Sequence, residues 1–174
     1  DRRYAILQTP PRIDISVSTD TDRSNTGYGN RWSIQVQKES ISVEASIRKS
    51  SSAPYEAPLR AELYLIGSPE QQDGYVILDK RAEPFSFSTE NKNQHVFESR
   101  DIKLKQLEVG REIGIEYKGY LVAVRDKTGE VISLKCSKLD FEKNAETIMA
   151  GKKGSMYDSE FKPIKKKGSN KKLP

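Results

Sequence analysis

The residues that could support catalysis are few, because the chain contains one histidine, His95, and one cysteine, Cys136. A relay of nucleophile, histidine and carboxylate would have to use His95, and the surrounding KNQHVFE has no nucleophile elbow. One histidine and one cysteine cannot supply the three or four nitrogen and sulfur ligands of a zinc site. We therefore predict a non-enzyme without metal or cofactor, with a structural or exposed His95. A glycosidase with paired carboxylates stays open, because sequence gives no distances.

The polar stretch 19–30, TDTDRSNTGYGN, is the segment whose oxygen-bearing side chains could suggest calcium binding. An EF-hand-type loop needs glycine at its sixth position and glutamate at its twelfth. Counting from Asp20, these positions hold Asn25 and Arg31. The stretch, which also carries Asp22 and Asn30, is therefore interpreted as a long solvated connection.

Eight tyrosines suggest a carbohydrate-binding module, in which exposed rings stack on sugars across one face of a sheet. Amphipathic tyrosines are also common at the edge of an ordinary core, so both interpretations stay open. The candidate glycan-stacking residues, all on predicted strands, are Tyr64, Tyr75, Tyr117 and Tyr120.

The positive charge of the chain is concentrated near its C-terminus. Residues 151–174 hold eight lysines against Asp158 and Glu160, a net of +6 within a total of +5, so residues 1–150 carry −1. That body offers no basic face for duplex nucleic acid, which is not an expected partner. The tail is either a solvated end, a grip on an anionic polymer or lipid, or a contact for an acidic protein. The candidate polyanion-binding residues are Lys162, Lys165, Lys166, Lys167, Lys171 and Lys172.

The candidate residues named above must be positioned by short strands, in which apolar and polar side chains alternate. Ile13, Ile15 and Val17 alternate with polar residues, which is typical of a strand with one buried face. The apolar residues of 31–48, beginning with Trp32, change parity near residues 38–40. This change predicts either a long bulged strand or a hairpin.

The strongest local pattern is GYLVAVRDKTGEVISLKCS, residues 119–137, in which two β-rich runs flank Gly129. It predicts a hairpin closed by a type I turn with a G1 bulge, and a first strand buried on both faces. Residues 139–150 predict one short helix that ends at Gly151.

About eight strands separated by turns predict an all-β, antiparallel β-sandwich, immunoglobulin-like first and jelly-roll second, with one short C-terminal helix. The predicted organisation is an N-terminal arm at 1–11, a sandwich domain at 12–150 and a lysine-rich tail at 151–174. No run approaches the roughly 18 apolar residues of a membrane span.

The Trp32 strand, the 119–136 hairpin and the lysine-rich end together resemble the immunoglobulin-like pilus-associated envelope proteins of mucin-degrading gut bacteria. The resemblance covers roughly residues 12–137. It implies a secreted or cell-envelope domain that assembles with itself or with neighbouring proteins, and it implies no catalytic residues.

Three alternative functions are therefore expected, in the following order. The first is a structural or adhesion domain that binds protein partners, to which an exposed strand edge or an arm around Tyr4 and Leu7 could contribute. The second is a carbohydrate-binding module. The third is a scaffold whose lysine tail binds an anionic polymer or lipid.

Overall fold

The computed structural model describes residues 10–26, 36–69, 72–108 and 111–164. Within them lie nine antiparallel strands and two short helices near the C-terminal end. In chain order these are β1 (Ile13–Thr26), β2 (Val36–Lys49), β3 (Leu59–Pro69), β4 (Tyr75–Phe85), β5 (Gln94–Glu98), β6 (Ile102–Glu108), β7 (Arg111–Arg125), β8 (Val131–Cys136), α1 (Leu139–Lys143), α2 (Ala145–Ala150) and β9 (Met156–Tyr157).

The strands form two sheets that are joined through β7. Sheet A contains β1, β2, β5, β6 and the first residues of β7, whereas sheet B contains β8, the rest of β7, β3, β4 and β9. β7 pairs with β6 at residues 111–114 and with β3 from Ile115 onward, so it passes from one sheet to the other. The predicted antiparallel β-sandwich with a short C-terminal helical segment is therefore confirmed.

The main core lies between the two sheets. Alternate residues of β2 point into it and are buried, while their neighbours point to solvent, which is the period-two pattern of a one-sided sheet. β3 and the end of β7 are buried on both faces, as predicted for the first strand of the 119–137 hairpin. The fully buried residues of this core include Val43, Ala45, Ile47, Ala61, Leu63, Leu65, Val122 and Val124.

A second core covers the opposite face of sheet B. Phe141, Ile148 and Phe161 of the C-terminal segment pack there on β3, β4 and β7. The predicted boundary after residue 150 thus does not coincide with an end of the packed structure, because β9 pairs with β4 and Phe161 is buried. The aromatic residues of 151–164 are not regularly spaced in the sequence, and turns bring them to the second core.

The 119–137 hairpin has the predicted turn. The Gly129 N–H donates to the Asp126 carbonyl at 3.0 Å, and Gly129 has a φ of 87°. The register of β7 against β8 shifts between Val124 and Arg125, as a bulge requires. The predicted helix is present, but Asn144, with φ −107° and ψ 18°, divides it into α1 and α2.

The predicted loop at 19–30 is wrong over its first eight residues. β1 continues to Thr26 and pairs with β2 in unbroken register from Ile13 opposite Lys49 to Thr26 opposite Val36. The side chains of residues 19–22 are all exposed, so backbone pairing with β2 is present here without apolar alternation. The parity change is a register shift against β6 between Glu39 and Ser40. Asn30 and Trp32 lie outside the described residues.

Replacing Gly151 with alanine tests whether the segment after α2 belongs to the packed body. The Gly151 φ of −76° suits any residue, but a Cβ there would lie 2.1 Å from the Tyr157 hydroxyl and 2.5 Å from Cδ1 of Ile77. We expect Gly151→Ala to lower the free energy of unfolding by about 1–3 kcal/mol, measured by urea denaturation. Tyr157→Phe should recover part of the loss in the double variant. An unchanged stability would mean that residues 151–164 do not pack as described.

Candidate functional site

The outer edge of sheet A is formed by β1, a 14-residue strand. β1 pairs only with β2 among the described strands, and β8 of sheet B lies beside it without pairing. In the described part of the chain, no strand forms a hydrogen-bonded ladder with the other side of β1.

The direction of each backbone group of β1 follows from the ladder. The Ser50 N–H donates to the Arg12 carbonyl at 2.9 Å, whereas the Lys49 N–H donates to Asn93 on the far side of β2. Hydrogen-bonded and non-hydrogen-bonded pairs alternate in an antiparallel ladder, so the even-numbered residues of β1 bond to β2. The N–H and C=O groups of Ile13, Ile15, Val17, Thr19 and Thr21 therefore point away from the sheet.

β1 lacks the features that usually protect an edge strand. Residues 13–26 contain no proline, their pairing with β2 has no bulge, and the inward-facing positions from Ile13 to Thr21 carry no charge. The other edges are different. β4 contains Pro84 and is partly covered by β9. β5 is only five residues long. β8 is six residues long and carries the exposed Lys135. β1 is thus the long unprotected edge of the described fold.

The outer face of β1 is polar and acidic. Asp14 lies opposite Arg48 of β2, but Asp20 and Asp22 lie opposite Ser42 and Ser40. All three aspartates are exposed. The half of β1 nearer Thr26 therefore carries two carboxylates that face hydroxyl groups across the ladder. This half would favour a basic strand.

A buried polar cluster, defined as Glu62, Tyr64, Lys80 and Arg125, lies at the other side of sheet B. The Glu62 carboxylate is 7% exposed and accepts from Arg125 Nε at 3.1 Å. The Tyr64 hydroxyl lies 3.0 Å from Glu62 Oε2 and 3.1 Å from the Met149 carbonyl oxygen, so its proton is shared between two acceptors. Lys80 Nζ donates to the Gly151 carbonyl at 3.1 Å. The cluster ties the end of α2 to sheet B.

The environment of Tyr64 keeps its hydroxyl protonated. Burial, followed by the nearby Glu62 charge, raises the pKa of Tyr64 well above its usual range. The Glu62 carboxylate is occupied by Tyr64 and Arg125, and Arg60 Nε lies 3.4 Å from its other oxygen. These contacts describe a structural clamp. Sequence reasoning missed it, although a charged residue within a strand that is apolar on both faces was the available signal.

The four predicted glycan-stacking tyrosines do not share an exposed face. Tyr64 is fully buried, and Tyr75 stacks on Phe161 with ring centroids 4.4 Å apart. Both pack in the second core. Tyr117 and Tyr120 pack against the main core on the opposite face of sheet B, and burial raises the pKa of Tyr117 to about 12. Tyr64 and Tyr75 therefore lie on one face of sheet B, and Tyr117 and Tyr120 lie on the other.

The other predicted residues are dispersed. Lys162 is exposed and forms an ion pair with Glu160, while Lys165, Lys166, Lys167, Lys171 and Lys172 lie outside the described residues. His95 stacks on Phe85 with ring centroids 4.5 Å apart, and its Nε2 lies 2.8 Å from Glu83 Oε1. Cys136 packs against the second core. Among the described residues of this group, Lys162, His95 and Cys136 lie in separate places, each with different neighbours.

Among the residues that the structure describes, no three side chains of histidine, cysteine, aspartate or glutamate come together as a metal ion would require. In the same ranges, neither helix is long and apolar enough to cross a membrane.

Comparisons with known proteins do not assign this chain to a family. No family model and no curated protein matches the chain. Among the solved structures that match is a crystal structure from Akkermansia muciniphila, with 14% sequence identity and a TM-score of 0.30, covering 75% of this chain and 74% of that chain. A likeness at this identity and TM-score carries no inference about function.

The clamp is tested by Tyr64→Phe, which removes the shared proton and leaves the ring in place. Because the hydroxyl bonds to a charged acceptor, we expect a loss of about 1.5–3 kcal/mol in the free energy of unfolding, measured by chemical denaturation. Tyr75→Phe, which keeps the stack on Phe161, is the control and should cost less. Equal losses in the two variants would contradict the assigned role of the Tyr64 hydroxyl.

The raised pKa of the Cys136 thiol predicts that the stability of the fold depends on pH. Burial, followed by the charge of Glu142, raises the pKa of the thiol from an ordinary value of 9.0 to about 11. Between these values the unfolded chain loses its proton first, so stability that is present below pH 9 is lost as the pH rises toward 11. The free energy of unfolding should fall more steeply with pH in the natural chain than in Cys136→Ser. Parallel slopes would show that the thiol is not buried as described.

Proposed function

We propose that the chain is a non-catalytic structural or adhesion domain that assembles with a protein partner by accepting a strand at the outer edge of β1. The observation that carries this proposal is the row of outward-pointing backbone groups from Ile13 to Thr21, a stretch of β1 without proline or bulge and without charge at its inward positions. Added strands bind such an edge through main-chain hydrogen bonds.

Side chains along the edge support the same function. Ile13, Ile15 and Val17 are half-buried at the border of the main core. An incoming strand with apolar residues on its inner face would complete their burial, at roughly 25 cal/mol for each Å² of apolar surface removed from water. Edge strands with this character are usually covered in stable proteins. The partner strand would therefore bond to the outward-pointing backbone groups of β1 and cover Ile13, Ile15 and Val17.

The location that we propose is the cell envelope or the exterior of the cell. It follows from the resemblance to pilus-associated envelope proteins described under Sequence analysis, and it rests on that resemblance alone. Protease treatment of intact source cells tests it, because an exposed envelope domain should be digested while a cytoplasmic marker is preserved.

Proline substitution at Val17 tests the assembly edge directly. The Val17 N–H points outward, so Val17→Pro removes a donor that an added strand needs while the bonds to β2 remain. With a photo-cross-linking residue at Thr19 in source cells, we expect a specific cross-linked product from the natural chain and its loss in Val17→Pro. Val17→Ala, which keeps the N–H, should retain the product.

Ser16→Pro is the matched control for folding. The Ser16 N–H points toward β2, so proline there removes a ladder hydrogen bond. The acceptor left without a partner should lower stability by about 1–3 kcal/mol, whereas Val17→Pro should remain folded with a smaller loss. Circular dichroism and thermal unfolding check both variants. A folded Val17→Pro that cross-links as well as the natural chain would exclude strand addition at this edge.

A further inference from the structure

We infer that the strand accepted at β1 is β1 of a second copy of this chain, which runs antiparallel to it in a two-fold symmetric dimer. This assignment rests on the proposed function, since the second copy occupies the same edge. In the dimer the two copies of sheet A become one continuous sheet. A strand that pairs with its own copy in this way makes an isologous contact, which closes the assembly at two subunits.

The backbone of β1 restricts how the two strands can be aligned. The N–H and C=O groups that point away from the sheet belong to odd-numbered residues, beginning with Ile13. Residues that exchange both hydrogen bonds in an antiparallel ladder lie directly opposite each other. Odd-numbered residues of one copy must therefore face odd-numbered residues of the other. The dimer is then centred on a single residue that lies opposite its own copy, and inward-facing side chains stay on the inward side.

Charge on the exposed face favours the register centred on Ser16. Arg12 is exposed and still aligned with β2, because its carbonyl accepts from the N–H of residue 50. In this register Arg12 of each copy lies opposite Asp20 of the other, so two ion pairs form across the dimer. Asp14 of each copy lies opposite Ser18. A pair centred one residue further along would place Asp14 opposite Asp20, and like charges directly opposite each other are destabilising.

Apolar side chains on the inward face meet in the same register. Ile15 of each copy lies opposite Val17 of the other, and Ile13 lies opposite Thr19. The three apolar residues are half-buried at the border of the main core. Pairing with the second copy removes part of their remaining surface from water. One register therefore matches both the charges of the outer face and the apolar residues of the inner face.

The ladder of this register extends over residues 13–19 of both copies. Within it, partners are found for the outward-pointing N–H and C=O groups of Ile13, Ile15, Val17 and Thr19. The next pair would be Pro11 opposite Thr21, and proline has no N–H to donate. A pair centred on Ile15 would place Pro11 opposite Thr19 and so shorten the ladder at both ends. The register centred on Ser16 therefore combines the longer ladder with the ion pairs.

Single cysteines on β1 of the full chain test both the dimer and its register. Each variant also carries Cys136→Ser, so that the introduced thiol is the only one. Ser16 lies opposite its own copy in a non-hydrogen-bonded pair, where Cα atoms are roughly 4.5 Å apart and a disulfide can form. Ser16→Cys should therefore give a disulfide-linked dimer on mild oxidation.

Ser18→Cys is the matched control, because it introduces the same thiol on the same exposed face. Its two copies would lie four residues apart along the ladder, roughly 13 Å, which is beyond the span of a disulfide. This variant should form linked dimer at least about tenfold more slowly than Ser16→Cys. Equal rates for the two variants would overturn the register.

A charge exchange tests the two ion pairs. Arg12→Asp places a carboxylate opposite Asp20 of the second copy, and sedimentation equilibrium should show dimerisation weakened about tenfold, since two exposed pairs are lost. Asp20→Arg added to the same chain restores both pairs with their partners exchanged, and should return the affinity to about its natural value. Lys127→Asp, which changes the net charge equally at an exposed turn position, is the control and should dimerise like the natural chain.

The remaining outcomes separate the dimer from the proposed function. A natural chain that stays monomeric at every attainable concentration overturns the dimer. If the product cross-linked from Thr19 in cells contains a different protein and is lost in Val17→Pro, the edge accepts a foreign strand, so the proposed function stands without the dimer. If Val17→Pro cross-links and dimerises as the natural chain does, the edge itself is excluded.

Discussion

Sheet B must be covered on both faces, and the rest of the structure depends on this constraint. β3 and the end of β7 carry apolar residues on both sides, so one face packs on sheet A and the other on the segment from α1 to Phe161. The chain uses its C-terminal residues for the second face, and the Glu62 clamp holds the end of α2 in place. Among the described residues, no apolar cluster covers the outer face of sheet A, which is polar and tolerates water.

This asymmetry explains why the assembly edge lies in sheet A. A one-sided sheet can remain exposed on its polar face, but its edge strand still has unpaired backbone groups. The other edges are short, covered or interrupted by Pro84, whereas β1 is long and regular. Ile13, Ile15 and Val17 combine outward backbone groups with half-buried side chains. Strand addition would satisfy the backbone groups and complete the burial together.

Sequence patterns predicted the sandwich, the Gly129 hairpin and the burial of β7 on both faces, because these features follow from local periodicity and turn chemistry. They did not predict β1 beyond Ser18, since Asp20 and Asp22 belong to a strand only through pairing with β2. Sequence patterns also did not predict that Tyr157 and Phe161 pack in the second core, because residues 151–164 show no strand or helix periodicity and reach the core through turns. The sequence also left Tyr64 open between glycan stacking and core packing, because β3 alone does not show that both of its faces are covered; in the structure Tyr64 is buried.

Residue-resolved amide hydrogen exchange of β1 at low and high protein concentration tests the central claim most directly. In the monomer, the amides of Ile15, Val17 and Thr19 should exchange rapidly, while those of Ser16 and Ser18 are protected by β2. In the assembled protein, the odd-numbered amides should become protected as well. Odd-numbered amides that are already protected in the monomer, or that remain unprotected in the assembly, would contradict strand addition at β1.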